Sequence, residues 1–482
     1  MTYPFKTVPM KHQAYAWEES KKKINYAYLM EMGTGKTKVT IDTAGYLYHQ
    51  EHIDALLILG NKGSYTNWIE ELQKHMADCA PYIVALWSAK MTKKERVIFE
   101  KAINYTGELV VLLMNIEALS YDRSFKVAFD FAKNHDTLCV VDESTTIKNH
   151  SAKRTKAAWK LRDVCTARRI LTGSLVDNKP LDCWAQFEFL KKGILGYSSY
   201  YAFRAQYANL IELNVKQRGI LRTIKTVTGY KNIADLKTNI AKFSILIKKK
   251  DCLDLPPKIY LTYKVELTQE QRYIYEEMKK KSMVELKNTM ASVKNVLSKL
   301  LRLHQIVCGY LIDDDGGLVK IKNNRLEALL DICDESQGKV LIWSNYRYNI
   351  QEISLELRRQ YGTKTVMEYY GDTSAEDRES VKKAALRGTE TDMRWLVSNT
   401  QSGGYGNNWT AFNNVVYYAN NFNGEQRNQS EDRCHRIGQT ESVTYTDIVA
   451  VDTIDEKIIA VLKNKKNLSD IITQTSWENF FK

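Results

Sequence analysis

No apolar run in this chain is long enough to cross a bilayer. The longest purely aliphatic runs, such as Leu109 to Met114, fall far below the roughly 18 residues a spanning helix needs. A water-soluble chain is therefore expected. The opening MTYPFKTVPMKHQ has no apolar core and no small-residue cleavage site, so nothing in it reads as a secretion signal. Proline is scarce, with 6 among 482 residues, and glycine numbers 23, which excludes collagenous and low-complexity chains. The cysteines, at 79, 139, 165, 183, 252, 308, 333 and 434, are scattered and form no CxxC pair. A zinc site or a thioredoxin-like centre thus has no seed, and reduced thiols in a cytosol-like compartment are the expectation. Acidic residues are the minority: 57 Asp and Glu face 70 Lys and Arg, leaving +13. Such a field draws polyanions, nucleic acid foremost, although the same excess also serves solubility alone.

What is present is ordinary globular material, 44% hydrophobic and 26% charged, long enough for two to four domains. Short runs rich in branched residues alternate with longer helical patterns: ALLIL at 55–59, ELVVLLM at 108–114, TLCVVDE at 137–143, KVLIWS at 339–344 and VVYYAN at 415–420. That alternation predicts α/β architecture, parallel sheets with crossover helices on both faces, once before residue 180 and again after 335. Residues 182–250 and 268–335 carry lysines, spaced aromatics and helical periodicity, and read as helical insertions. The phrase LDLPPK at 253–258 holds two of the six prolines. Paired prolines stiffen a chain, so a linker is placed over 251–258, between an N-terminal lobe of residues 1–250 and a C-terminal lobe of 259–482 with a short helical tail. No repeat of 20–50 residues is present.

After the strand-like NYAYLM stands Glu31-Met32-Gly33-Thr34-Gly35-Lys36-Thr37. Glycines let a backbone curl round a phosphate so that N–H groups and a helix start face the anion. Lys36 would reach the β and γ phosphates and Thr37 would hold Mg²⁺. The strict pattern asks for Gly five residues before Gly35, where this chain has Met30. At the end of TLCVV come Asp142 and Glu143, placed as a nucleotide hydrolase places a metal-binding Asp and the residue that orients and deprotonates water. Alone, an acidic pair after a strand is mostly a solvated turn. About 100 residues after a phosphate loop it reads as catalytic.

With these residues in place the chain resembles the SNF2 (Swi2/Snf2) family of superfamily 2 helicase-type ATPases, as a compact bacterial or viral-like member. MKHQ at 10–13 resembles the family's adenine-reading motif, with Gln13 as reader. EMGTGKT at 31–37 is similar to motif I, DESTTIKN at 142–149 to motif II and LTGSLVDN at 171–178 to motif III, followed by a fitting Trp184 and Phe189-Leu190. KVLIWS resembles motif IV, residues 402–418 motif V with Gly404 inside it, and QSEDRCHRIGQT at 429–440 motif VI. The resemblance implies two RecA-like lobes and ATP as substrate, bound by Gln13, Met32, Gly33, Thr34, Gly35, Lys36, Thr37 and Gly404. It further implies Mg²⁺ at Thr37 and Asp142, with Lys36, Asp142 and Glu143 catalytic. Arg433 and Arg436 would enter from the second lobe as arginine fingers. The departures are Thr145 where the family usually has His, Leu175 where it has Pro, and Gln401 where a basic residue is common. Motif Ia is loose, leading to Gly60-Asn61-Lys62-Gly63-Ser64 before a matching Trp68 and Glu71.

Phosphate contacts are made by hydroxyls, amides and cations. Lys62, Ser64, Asn115, Asn345, Arg347 and Thr400 are the candidate DNA contacts by motif position. Arg272 to Arg302 carries eight basic residues against three acidic ones, either a protrusion flanking DNA or a solvated face. The expected activity is DNA-stimulated ATP hydrolysis driving movement along duplex or branched DNA, by a monomer with no membrane partner. The compartment is the cytoplasm, or the nucleus in a eukaryote. The alternatives are a strand-separating helicase acting on DNA or RNA, a non-hydrolysing nucleic-acid clamp, and a motor subunit of a restriction, repair or phage replication system. The motifs fill residues 10 to about 440, which leaves no room for a chromatin reader and favours fork remodelling or branch migration.

Overall fold

The computed structural model describes residues 3–173, 180–217, 220–288, 293–313, 315–386, 388–404 and 407–463. The chain divides between Asp254 and Leu255 into two compact units. In the first, six strands come in sequence: β1 (Asn25–Met30), β2 (Ala55–Gly60), β3 (Tyr82–Leu86), β4 (Leu109–Asn115), β5 (Thr137–Val141) and β6 (Ala167–Thr172). A long hairpin, β7 (Ala208–Gln217) with β8 (Ile220–Tyr230), intervenes before β9 (Ser244–Ile247). The main sheet runs β3-β4-β2-β5-β6-β1-β9 with every pairing parallel.

β2 and β5 are buried at every residue, which is why they read as unbroken apolar runs: helices cover both faces of a parallel sheet. Alternate residues of β2 serve opposite cores. Leu57 and Leu59 pack with Phe131, Leu161 and Phe187, while Leu56 and Ile58 pack with Val39, Ile41 and Trp68. Because the strands are parallel, Met30, Gly60, Asn115, Asp142 and Gly173 all fall at one edge, the carboxyl ends where open α/β sheets bind ligands.

The second unit repeats the plan. Its strands are β10 (Lys258–Val265), a short hairpin of β11 (Tyr310–Ile312) and β12 (Leu318–Lys320), then β13 (Val340–Trp343), β14 (Val366–Tyr369), β15 (Trp395–Ser398), β16 (Asn414–Tyr417) and β17 (Val443–Ala450). The sheet order is β10-β17-β16-β13-β15-β14, again all parallel. Both units are RecA-like lobes.

The insertions differ from expectation. Residues 182–250 hold the helices Cys183–Leu190, Tyr200–Tyr207 and Ile233–Ala241, but also the β7/β8 hairpin and β9, which joins the main sheet beside β1. The reason is composition: ILRTIKTVTGY is rich in β-branched residues set between charges, a strand pattern in which the lysines had suggested a helix. Residues 268–335 are mainly helical, with helices Gln269–Asn288, Val293–Val307 and Arg325–Glu335, interrupted by the β11/β12 hairpin. Among the described residues no helix is long and apolar enough to cross a membrane. The expected tail beyond residue 463 lies outside the described residues.

Candidate nucleotide site and arginine helix

The phosphate loop leaves β1 and ends where the helix Lys36–His49 begins. Gly33 and Gly35 take φ of 78° and 91°, the left-handed region open to glycine. At Gly35 the requirement is also tertiary, since a Cβ there would lie 2.2 Å from Gln13 Nε2. Lys36 Nζ donates across the loop to the Met30 carbonyl at 2.7 Å, and Thr34 Oγ1 donates to the Glu31 carbonyl at 2.7 Å. Thr37 stands half-buried in the first helical turn, whose backbone N–H groups have no intrahelical acceptor. The end of β6 touches the loop from the other side: a Cβ on Gly173 would come within 3.3 Å of the Met32 nitrogen.

The helix Lys11–Ser20 clasps the same loop. Gln13 Nε2 donates to the Thr34 carbonyl at 3.3 Å, and Gln13 Oε1 accepts from the Met10 N–H at 3.0 Å. His12 Nε2 lies 2.8 Å from that Thr34 carbonyl. A carbonyl only accepts, so Nε2 carries the imidazole proton.

Asp142 follows β5, and its backbone N–H donates to Leu59 at 2.9 Å. Its Oδ2 accepts from Trp68 Nε1 at 2.9 Å. Trp68 belongs to the helix Tyr65–His75 and is fully buried. Glu143 sits at φ 50°, a strained conformation for a residue with a Cβ. It is over-determined by its neighbours: its carbonyl accepts from Thr146 N–H at 3.0 Å, and buried Ser144 Oγ donates to Gln186 at 2.6 Å. Thr37 and Asp142 offer a hydroxyl and a carboxylate whose Oδ1 lies outside the Trp68 bond. This hard-oxygen donor set fits Mg²⁺, which takes one or two protein oxygens and keeps several waters.

In the second unit the helix Gly424–Cys434 is capped by Asn423, whose Oδ1 accepts from Glu425 and Gln426 N–H, each at 3.1 Å. Buried Arg427 anchors it, donating to Glu431 at 2.8 Å, to Asn420 at 2.8 Å and to both Asp447 oxygens at 2.5 and 3.1 Å, with its guanidinium 3.5 Å from the Tyr417 ring centre. Arg433 Nε donates to the Gly404 carbonyl at 2.7 Å, so the structure brings these two expected site residues together. Gly404 admits no side chain, because a Cβ would stand 2.2 Å from the Thr400 carbonyl. Arg436 lies two residues past the helix end and is half-buried.

The candidate DNA contacts sit at carboxyl-edge turns. Ser64 is buried and donates to the Asn61 carbonyl at 2.8 Å. Asn115 caps the turn Ile116–Ser120, accepting from Glu117 N–H at 3.1 Å. Asn345 is half-buried and accepts from Asn421 at 3.4 Å. Arg347 is exposed, 3.3 Å from Asp372. Thr400 is buried at the start of a helical turn, its hydroxyl meeting no partner among the described residues. The Lys62 side chain and Leu175 lie outside the described residues.

The family model for the SNF2-related domain matches residues 14–310, well over half of the chain. The chain belongs to the SNF2 family. A second model, the helicase conserved C-terminal domain, matches residues 321–438. Among similar proteins is an uncharacterized ATP-dependent helicase of Mycoplasma genitalium, 26% identical over 460 residues, covering 94% of this chain and 40% of that protein. Another is the ATP-dependent helicase brm of Drosophila melanogaster, 26% identical over 479 residues, covering 92% and 28%. The chain thus spans less than half the length of these curated relatives. A solved structure titled "Sulfolobus solfataricus SWI2/SNF2 ATPase core in complex with dsDNA" is similar at 24% identity and TM-score 0.43, covering 100% of this chain and 96% of that one.

Two features of this SNF2 chain were missed by sequence reasoning. Thr145, the residue in place of the family's usual His, donates Oγ1 to Glu143 Oε1 at 3.3 Å. Trp68, noted only as a motif match, holds the carboxylate of Asp142 from 74 positions away. No local spacing signals the second contact.

Proposed function

We propose that the chain hydrolyses ATP in response to DNA and uses the cycle to move along duplex or branched DNA. The observation that carries this reading is the convergence of the phosphate loop, Asp142 and Glu143 at one edge of the first sheet, in a chain whose second unit presents Arg433 and Arg436 at the end of a firmly anchored helix. Lys36 exchanges the Met30 carbonyl for the β and γ phosphate oxygens. Gln13 reads adenine: its amide retains one N–H and a carbonyl lone pair beyond the bonds it makes to the Thr34 carbonyl and the Met10 N–H. Thr37 and Asp142 would hold Mg²⁺, which when bound would supply charge neutralisation on the phosphates. Glu143 orients water and takes its proton. Arg433 and Arg436 stabilise the transferring phosphoryl group when the lobes close, so hydrolysis is tied to closure. Closure is driven only by contacts that ATP makes differently in the open and closed states.

Phosphate release measured with and without duplex DNA, at low salt because backbone contacts are salt-sensitive, is expected to rise severalfold with DNA. Equal rates across a wide titration would end the proposal. Displacement of a third strand from a triplex, without opening a fork, separates translocation from strand separation.

A further inference from the structure

The first residues of the second unit grip the arginine helix. Pro256 has no N–H to give, but its carbonyl accepts from His435 Nε2 at 2.7 Å. Two residues on, Lys258 Nζ lies 3.0 Å from Glu431 Oε2 and 3.4 Å from Asp432 Oδ1. Two further on, Tyr260 donates its hydroxyl to the same Glu431 Oε2 at 2.7 Å, while its ring stacks on Tyr445 at 5.5 Å. Tyr445 in turn donates to the Glu431 carbonyl at 2.8 Å. The opposite oxygen of Glu431 is held by Arg427. Thus alternate residues of one extended segment, 256, 258 and 260, meet Glu431 and Asp432 in the last helical turn and His435 just past it; Arg433 lies between these contacts and Arg436 directly follows them.

The chemistry of this contact speaks for geometry more than for stability. Glu431 and Lys258 are both largely buried, with side-chain exposures of 6% and 23%. Burial opposes the charge on Lys258, yet Asp432 and Glu431 outweigh it and raise its proton affinity. Burial likewise opposes the charge on Glu431, and Lys258 with Arg427 hold its carboxyl below the usual range. A buried ion pair of this kind is often no more stabilising than apolar side chains of equal volume. What it does supply is direction, since Glu431 is held on both oxygens, by Arg427 on one and by Lys258 and Tyr260 on the other. The segment is also stiff at its start, with Pro256 and Pro257 adjacent.

We propose that Pro256, Lys258 and Tyr260 form a positioning brace, with His435 as its latch. The brace makes the segment that leaves the first unit and the last turn of the arginine helix one rigid body. The orientation of the connecting segment then sets where Arg433 and Arg436 point. The brace rests on the arginine reading given above. It adds that the arginines are aimed through the connection between the lobes, and that Lys258 and His435, which need not touch nucleotide, are required for turnover.

Four full-length variants test it: His435→Ala, Lys258→Met, Lys258→Arg and Arg433→Ala. DNA-stimulated turnover is read beside nucleotide affinity from a fluorescent ATP analogue and beside hydrogen exchange of the backbone amides at 431–436. His435→Ala is expected to lower kcat at least about tenfold, as misplacement of a transition-state contact does, with nucleotide affinity unchanged and exchange at 431–436 faster. Lys258→Met is expected to do the same and Lys258→Arg to retain most activity. If Lys258→Met fails to fold, His435→Ala carries the test alone. Wild-type kcat or unchanged exchange in His435→Ala, with Arg433→Ala still slow, would overturn the brace and leave the arginine reading standing. Wild-type turnover in Arg433→Ala would overturn both.

Discussion

Glu143 is the residue proposed as the base, and its backbone is what singles it out. It holds φ at 50° although it is not glycine, a conformation that persists only where neighbours enforce it and one that recurs at functional sites. The Thr145 hydroxyl then fixes one of its oxygens at 3.3 Å. Glu143→Gln keeps the shape and the hydrogen-bond acceptor but removes the base. It is expected to bind ATP as the parent does and to lose turnover by about 10²-fold or more. Phosphate release beside nucleotide affinity checks this, and a variant that turns over normally would remove Glu143 from that role. At this scale the loop of the candidate nucleotide site and the helix start that follows it were legible because they are contiguous and appear in the sequence as one string. The clasp of His12 on the Thr34 carbonyl was not readable, because an imidazole beside a motif leaves no spacing signal.

Among the elements, the helix Tyr65–His75 touches two candidate sites. It begins beside Ser64, a candidate DNA contact, and one turn later Trp68 holds Asp142. Gly60 lies between them: a Cβ placed on it would be 3.1 Å from Ser64 Oγ and 3.7 Å from Asp142 Oδ2. A shift of this helix therefore displaces the carboxylate. Trp68→Phe keeps an aromatic ring but removes the indole N–H, and its expected effect is a smaller ratio of DNA-stimulated to basal ATPase, about tenfold less, the scale seen when the partner of a ligating carboxylate is lost. Titrating Mg²⁺ in the same assay should show half-activation moving to higher concentration, and an unchanged ratio would argue against the link. The buried central strands β2, β4 and β5 were legible because both of their faces are apolar. β6, ARRILT, was not, since its two arginines disguise it. Arg169 is nonetheless fully buried, its guanidinium donating to the carbonyls of Ser20, Lys23 and Ile24 at 2.7–3.0 Å. The β7/β8 hairpin was obscured by the same mixture of charge and branched residues.

At the scale of the molecule, the second unit is tied by a polar knot whose charge state sets its pH range. His304 Nε2 lies 3.3 Å from Asp455 Oδ1, Arg325 pairs with the other oxygen of Asp455, and Arg325 also donates to the Ile448 carbonyl at 3.0 Å. Burial opposes the charge on His304, but Cys308 and Asp455 outweigh it, and its pKa is raised to about 9. A group whose folded pKa exceeds its unfolded value of about 6.5 lends stability fully below that lower value and loses it as pH climbs through the upper one. The melting temperature should therefore fall by about 5 °C between pH 7 and pH 10, and His304→Gln should flatten that slope, as calorimetry would reveal. Asp455, held down to about 2 mainly by Arg325 against its burial, acts oppositely and matters only in acid.

The strand order carries one more consequence, for the newborn chain on the ribosome. The strand that bears the phosphate loop, β1, is the first to be made, yet its partners β6 and β9 are completed only at residues 172 and 247. In the second unit β10 waits for β17, nearly 180 residues later. Neither lobe can close its sheet piecemeal as it emerges, and pairings so distant in sequence are slow to find. The earliest strands thus spend translation with bare edges, and the main sheet of the N-terminal unit is complete while the helix Gly424–Cys434 has yet to be synthesised.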